Sequence, residues 1–188
     1  MRPQKIENAV LLERLTEVFR SKGYEGSSLN DLATSAGLKK ASLYHRFPGG
    51  KEEIAAAVLQ FTEVWSKKHV EDIIRDTKKP ARQRLQEVVH NIDILYAQGE
   101  KTCILRALST DTGIDSLGEL IQETMNKWLG SFAFFAEDIG YTPKEATQKA
   151  TQTLINIQGS LIISKGLNDR RIFKNALNSI TTLYYPIT

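Results

Sequence analysis

Apolar residues recur at three- and four-residue spacing through almost the whole chain, and no run alternates every second residue between hairpin turns. That periodicity confines the chain to an all-α fold. Leu11, Leu12, Leu15, Val18 and Phe19 predict a first helix over residues 5–22, with Gly23 as a left-handed stop. Ser28 followed by Asp31 is a capping-box pattern, and Leu29, Leu32, Ala33 and Ala36 continue it at i, i+3, i+4 and i+7. Gly37 ends this short second helix and Leu38 plugs the turn. A third helix over 39–47 stops at Pro48. Beyond Gly49 and Gly50 a long helix is predicted from Lys51 as far as Thr77, closed by Pro80. Further helices are expected over 81–98, 101–108, 117–139, 143–165 and 170–185.

At 188 residues, 41% hydrophobic and 25% charged, the chain can bury a real core in one or two domains. The N-terminal "MRPQKIENAV" has no apolar run of signal-peptide length, and no later stretch approaches the roughly 20 apolar residues that span a bilayer. A lone cysteine, Cys103, excludes an internal disulfide and any multi-cysteine metal site. The expected location is the cytoplasm, with no membrane partner. Catalytic and metal constellations are missing too. His45, His69 and His90 lack an H-E-x-x-H spacing, and neither a G-x-S-x-G elbow nor a phosphate-binding glycine loop occurs. The carboxylates Asp111 and Asp115 in "STDTGID" read as a solvated loop. No catalytic residue, metal or cofactor is expected.

The net charge of +3 is small but unevenly spread. Residues 1–51 hold nine Lys/Arg against five Asp/Glu, and the rest holds 16 against 17. A solvated helical surface produces such a bias as readily as a polyanion-binding one. What discriminates is the segment "AGLKKASLYHRFPGGKEEI", residues 36–54. Two short helices joined by a glycine turn, the second basic and aromatic, have the pattern of a DNA-binding helix-turn-helix. At 100° per residue, Leu43 and Phe47 lie about 40° apart and face a core, which turns Ala41, Tyr44 and His45 outward. Lys39 and Lys40 occupy the first turn, where a recognition helix meets base edges. Ala41 permits close approach to the groove, and Ser42 can hydrogen-bond there. Tyr44, His45 and Lys51, with the free backbone N–H groups at the head of the fourth helix, suit phosphate oxygens.

The stretch "SSLNDLATSAGLKKASLYHRFPGGKEEIAAAVL" resembles the DNA-binding domain of the TetR family of bacterial transcriptional regulators, over roughly residues 5–60. The order Ser28, Asp31, Ala33, Ala36-Gly37, Leu43-Tyr44-His45, Phe47 and Lys51 carries it, and "FPGGKEE" is similar to the LmrA/YxaF-like subgroup. The resemblance implies a DNA-binding domain over 1–50 and a regulatory domain over 51–188. Its DNA-contact residues are then Ser28, Lys39, Lys40, Ala41, Ser42, Tyr44, His45 and Lys51. Within that set Lys40 and Ser42 read bases or nearby phosphates, while Tyr44, His45 and Lys51 hold the backbone. Lys39 departs from the family's usual Ser or Thr cap of the recognition helix, and Ala41 from its frequent glycine.

The resemblance further implies a bundle with a small-molecule cavity, a homodimer built on the last two long helices, and a palindromic operator. In "TQTLINIQGSLIISKGL", Leu154, Ile155, Gly159, Leu161 and Ile162 form an apolar surface wider than one helix needs, as a monomer core also could. Candidate lining for a small apolar or aromatic effector is Trp65, His69, Tyr96, Cys103, Trp128, Phe132 and Phe135. Aromatics at helical spacing are core in most proteins. Two classes remain at this point: a ligand-responsive dimeric repressor, and an all-helical binding or enzymatic protein whose first helices only resemble the motif.

Overall fold

A computed structural model describes residues 6–109 and 115–186. In chain order its helices are α1 (Asn8–Lys22), α2 (Leu29–Ala36), α3 (Lys40–Arg46) and α4 (Gly50–Ser66), then α5 (Ala81–Leu95), α6 (Ile104–Leu108), α7 (Asp115–Asp138), α8 (Pro143–Leu167) and α9 (Arg171–Tyr184). No strand occurs among the described residues, so the all-α expectation holds. No helix among them is long and apolar enough to cross a membrane.

The chain forms two compact units, residues 1–64 with 104–122 and residues 65–103 with 123–188. In the first, α1 packs on α2 and α6, and α2 on α3. Leu11, Leu15, Phe19, Leu32, Leu43, Ile54 and Val58 are withdrawn from solvent at its centre. The 3.6-residue period of α1 puts Leu11, Leu15 and Phe19 on one stripe, and Gly23 ends the helix at φ 73°. The backbone N–H of Tyr24, just past that stop, donates to Ala107 O of α6 at 2.9 Å.

The second unit is organised by α8 and α9, packed against each other, with α9 also on α5. Pro143 at the first position of α8 and a Thr142–Glu145 capping box fix its start, and Asn168 in the left-handed region at φ 51° ends it. Phe173, Leu177, Ile180 and Tyr184 of α9 are buried, and Tyr184 meets Phe132 and Phe135 of α7. Arg84 of α5 lies inside as well. Its guanidinium donates to Ile74 O at 2.7 Å, pairs with Asp138 and lies 5.3 Å from the centre of the Phe135 ring. Such a buried charge is tolerable only with these partners, since removing one strands the other.

The structure revises three expectations. The first helix begins at Asn8, and Lys5 lies outside the described residues. The long helix expected over 51–77 is α4, a π-helical turn at Lys67–Glu71 and a last α turn at Asp72–Ile74. Its dihedrals stay helical through the junctions, but the N–H of Asp72 reaches back five residues to Lys67 O. Asp115, expected in a loop, is the first residue of α7, whereas Asp111 lies outside the described residues.

Candidate nucleic-acid interface

Helix α2 starts with the capping box expected from its sequence. Ser28 Oγ accepts from the Asp31 N–H at 3.1 Å and the Ser28 N–H donates to Asp31 Oδ2 at 3.0 Å. Lys22 Nζ, at the end of α1, donates to Asp31 Oδ1 at 2.5 Å and so ties the two helices together. That ammonium, and then the Ser28 hydroxyl, hold the Asp31 carboxyl well below the usual carboxylate range. The Ser28 hydroxyl also donates to Asp31 Oδ2 at 2.6 Å, so both Ser28 donors are engaged by Asp31 at the start of α2.

Gly37 closes α2 at φ 68°, ψ 28°, where a side chain would be strained. The Leu38 N–H returns to Ala33 O at 2.9 Å, completing a Schellman-type turn that aims the chain into α3. Leu38 is half-buried in that turn. Lys39 is the N-cap of α3 and its side chain makes no cap hydrogen bond, as the replacement of Ser or Thr implied. Leu43 and Phe47 are buried, whereas Lys39, Lys40, Ala41, Ser42, Tyr44 and His45 are all exposed. The two-sidedness read from residue spacing is therefore the observed one. Lys40 Nζ lies 6.0 Å from the Tyr44 ring centre, one turn further along the same face.

Behind this face the junction to α4 is tight. Gly50 has φ 69°, and a Cβ there would sit 3.9 Å from Tyr44 Cε1, so the Tyr44 ring lies close to the head of α4. Of the N–H groups that sequence reasoning left free for phosphate, that of Gly50 donates to Phe47 O at 3.0 Å. That of Gly49 donates to Glu53 Oε2 at 2.7 Å. A glutamate in the first turn of a helix was the available signal. Lys51 is half-buried, with Nζ 3.0 Å from Tyr24 O and 4.3 Å from the centre of the Tyr24 ring. Arg46, which sequence reasoning passed over, donates to Ile6 O at 3.4 Å beside an open groove of about 580 Å³ bounded by Ile6, Glu7, Asn8, Arg46 and Phe47.

The seven candidate effector-lining residues fall into smaller groups in the second unit. Trp128 and Phe132 pack together, and Phe132 and Phe135 meet Tyr184. Tyr96 makes an edge contact with Phe173, and Cys103 is buried. Trp65 and His69 stack at 4.5 Å and are half-buried, with the His69 Nδ1–H donating to Trp65 O at 2.9 Å. The indole N–H of Trp128 donates to Ser66 Oγ at 2.5 Å. Tyr184 and Phe173, which sequence reasoning did not single out, carry no signal beyond a strongly two-sided α9. Among the described residues no three His, Cys, Asp or Glu side chains gather as metal ligands would.

A short helix anchored by its apolar side, aimed by a glycine turn and baring lysines, a serine and a tyrosine, defines a helix-turn-helix DNA-binding protein. Residues 11–58 match the model of the bacterial regulatory proteins of the tetR family. YxaF, an HTH-type transcriptional regulator of Bacillus subtilis, is 26% identical over 167 residues, covering 85% of each chain. LmrA of the same organism is 24% identical over 158 residues, 82% of this chain and 84% of that one. IcaR of Staphylococcus aureus, a negative transcriptional regulator of a biofilm operon, is 43% identical over 51 residues, 27% of this chain and 24% of its own.

Among solved structures, a TetR regulator from Legionella pneumophila aligns with a TM-score of 0.81 at 20% identity, over 96% of this chain and 97% of that one. A cysteine mutant of the TetR family regulator CifR, solved with 26-base-pair operator DNA, aligns with a TM-score of 0.75 at 19% identity over the full length of both. FadR of Bacillus subtilis, solved with stearoyl-CoA, gives 0.70 at 17% identity, over 97% of this chain and 100% of that one. Residues 11–58 thus form a DNA-binding domain of the tetR family type, and the chain is a DNA-binding transcriptional regulator rather than an enzyme.

Proposed function

We propose that this regulator is a homodimeric, cytoplasmic repressor that occupies a palindromic duplex operator and leaves it when a small apolar or aromatic effector binds. The observation that carries the reading is α3, with Leu43 buried beneath an outward face of Lys39, Lys40, Ala41, Ser42, Tyr44 and His45. Lys40 and Ser42 read base edges or the phosphates beside them, and Tyr44 and His45 hold the backbone. One such helix per chain requires a second copy to read both halves of a palindrome. The regulatory region is residues 51–188.

Helix α8 supports the dimer. Ile155 and Ile162 are exposed at 56% and 52%, and Gly159 and Gly166 lie on the same stripe with no atom within 4 Å of where a Cβ would stand. A second copy across α8, with α9 beside it, buries that stripe. Repression is supported by the matched segment of IcaR, a negative regulator, and an apolar effector by the FadR complex with stearoyl-CoA. The aromatic grouping of Trp65, His69, Tyr96, Cys103, Trp128, Phe132 and Phe135 is the candidate lining. If effector weakens operator binding, operator weakens effector binding by the same factor, typically about 5- to 150-fold.

The test is selection of bound fragments from the source genome, followed by titration of the selected duplex. The expected site has half-sites about 34 to 36 Å apart, or further by whole turns, with a log–log salt slope of about 0.9 per neutralised phosphate. A monomer in light scattering, or binding indifferent to sequence and salt, sinks the reading.

A further inference from the structure

We propose that Lys51 is a positioning residue of the DNA-binding unit, acting through Tyr24 and through the head of α4 rather than by gripping a phosphate. The inference rests on the DNA-binding reading of α3 and reassigns one residue that the family resemblance puts on the DNA backbone.

Lys51 stands in the first turn of α4, yet its side chain turns inward. Nζ donates to Tyr24 O at 3.0 Å and lies 4.3 Å from the centre of the Tyr24 ring, well inside cation–π range. Tyr24 is a fixed point. It is only 8% exposed, its ring stacks on Phe19, its N–H donates to Ala107 O at 2.9 Å, and its carbonyl also accepts from the Ser27 N–H at 3.2 Å. An ammonium engaged by a carbonyl and a ring face gives up both contacts if it swings out to a phosphate. The first turn of α4 is itself unfavourable to an anion. Glu52 and Glu53 both lie in it, and Glu53 takes the Gly49 N–H that would otherwise point outward.

What the clamp positions is α3. Gly50, next to Lys51, lies so near Tyr44 that a Cβ on it would touch the ring, and the Gly50 N–H is bonded to Phe47 O at the end of α3. Lys51 thus holds the head of α4 on the α1–α2 connection, and α4 in turn backs the last turn of α3. A phosphate contact and a positioning contact leave different signatures. Losing the first weakens all DNA alike and flattens the salt dependence, whereas losing the second weakens operator more than random duplex.

The experiment compares wild type, Lys51→Met, Lys51→Arg and Tyr24→Leu in fluorescence-anisotropy titrations. Labelled operator and scrambled duplex are used from about 50 to 200 mM salt. Lys51→Met is expected to lower the operator-to-scrambled affinity ratio about tenfold with the salt slope unchanged, and Lys51→Arg to restore most of it, because a guanidinium also bonds a carbonyl and lies on a ring. Tyr24→Leu should reproduce the fall, and the double variant Lys51→Met/Tyr24→Leu should fall no further. Their effects on the Tm of the DNA-free protein should likewise be non-additive. A slope reduced by about 0.9 with the ratio unchanged makes Lys51 a phosphate contact and overturns the assignment. A lowered Tm with ratio and slope both intact makes it an ordinary brace and overturns it equally. A wild type without operator preference counts against the regulator reading alone, because the coupling of Lys51 and Tyr24 is read in the free protein without DNA.

Discussion

Helices α3 and α8 each carry a face that their own unit does not use, and the two faces are opposite in chemistry. The outward side of α3 presents Lys39, Lys40, Ser42, Tyr44 and His45. That of α8 presents Ile155, Ile162, Ile163 and Leu167 around Gly159 and Gly166. Helix α9 is the control within the same packed pair, since its outward positions are Arg171, Lys174, Asn175, Asn178, Ser179 and Thr182. A polar face costs nothing in water, so α3 is informative through its shape and cations. An apolar one is costly unless covered, so α8 is informative through its exposure.

The largest expected effect is on the apolar face. Ile162→Glu puts a carboxylate into the proposed dimer contact twice, because a two-fold interface repeats each substitution. The dimer should weaken by about 4 kcal/mol, near 1,000-fold in dissociation constant, read by analytical ultracentrifugation. A dimer of unchanged strength moves the interface off α8. Next comes the hidden side of α3. Leu43→Ala should cost about 3 kcal/mol of unfolding free energy in a denaturant titration, since Leu43 is wholly buried. A loss below about 1 kcal/mol would mean that α3 is not anchored as described.

The exposed side of α3 comes third. Lys40→Ala should cost about 2 kcal/mol at operator and little at scrambled duplex. Equal losses on both would turn Lys40 into a phosphate contact. The smallest effect concerns the cap of α2. Ser28→Ala should lower stability by about 1 kcal/mol at neutral pH. The Asp31 pKa is lower in the folded chain than in the unfolded one, so the box stabilises fully above the ordinary carboxylate range. That stabilisation is lost as pH falls below about 4 towards the folded pKa. Acid titration of stability should accordingly be shallower in Asp31→Asn than in wild type, and parallel curves would remove Asp31 from the cap.

The residues that carried the sequence reading are those whose structural consequence is local. Ser28 and Asp31 are three apart, Gly37 acts on its own dihedrals, and Leu43 and Phe47 share a face by arithmetic, so α2, the turn and the two sides of α3 were legible before any coordinates. The contacts that escaped are long in sequence or break the period. Lys51 meets Tyr24 across 27 positions and Arg84 meets Asp138 across 54, and neither pairing leaves a pattern in the chain. Glu53 was visible, but its partner Gly49 lies four residues back across a glycine bend whose geometry sequence does not state. The aromatics of the second unit were identified as a set. Their division among Tyr184, Phe173 and His69 depends on how α7 and α9 cross, which no local rule supplies.

The π-helical turn at Lys67–Glu71 accommodates one residue more than an α-helix of the same rise. Side-chain groups stitch it shut: Asn91 Nδ2 donates to His69 O at 2.9 Å, the His69 ring takes Trp65 O, and the Ser66 hydroxyl receives the Trp128 indole. Each residue in an α-helix advances the side-chain direction by about 100°. The wide turn absorbs that step, so the extra residue is held without turning Asp72 and Ile74 away from their places along the helix. Deleting the one codon for Lys68 would let the helix close into an unbroken α path with the carbonyl of Ile74 still facing the Arg84 guanidinium, while the His69 carbonyl would return to the α ladder and release Asn91. A gene can reach that change in a single in-frame step, without altering any residue of α3.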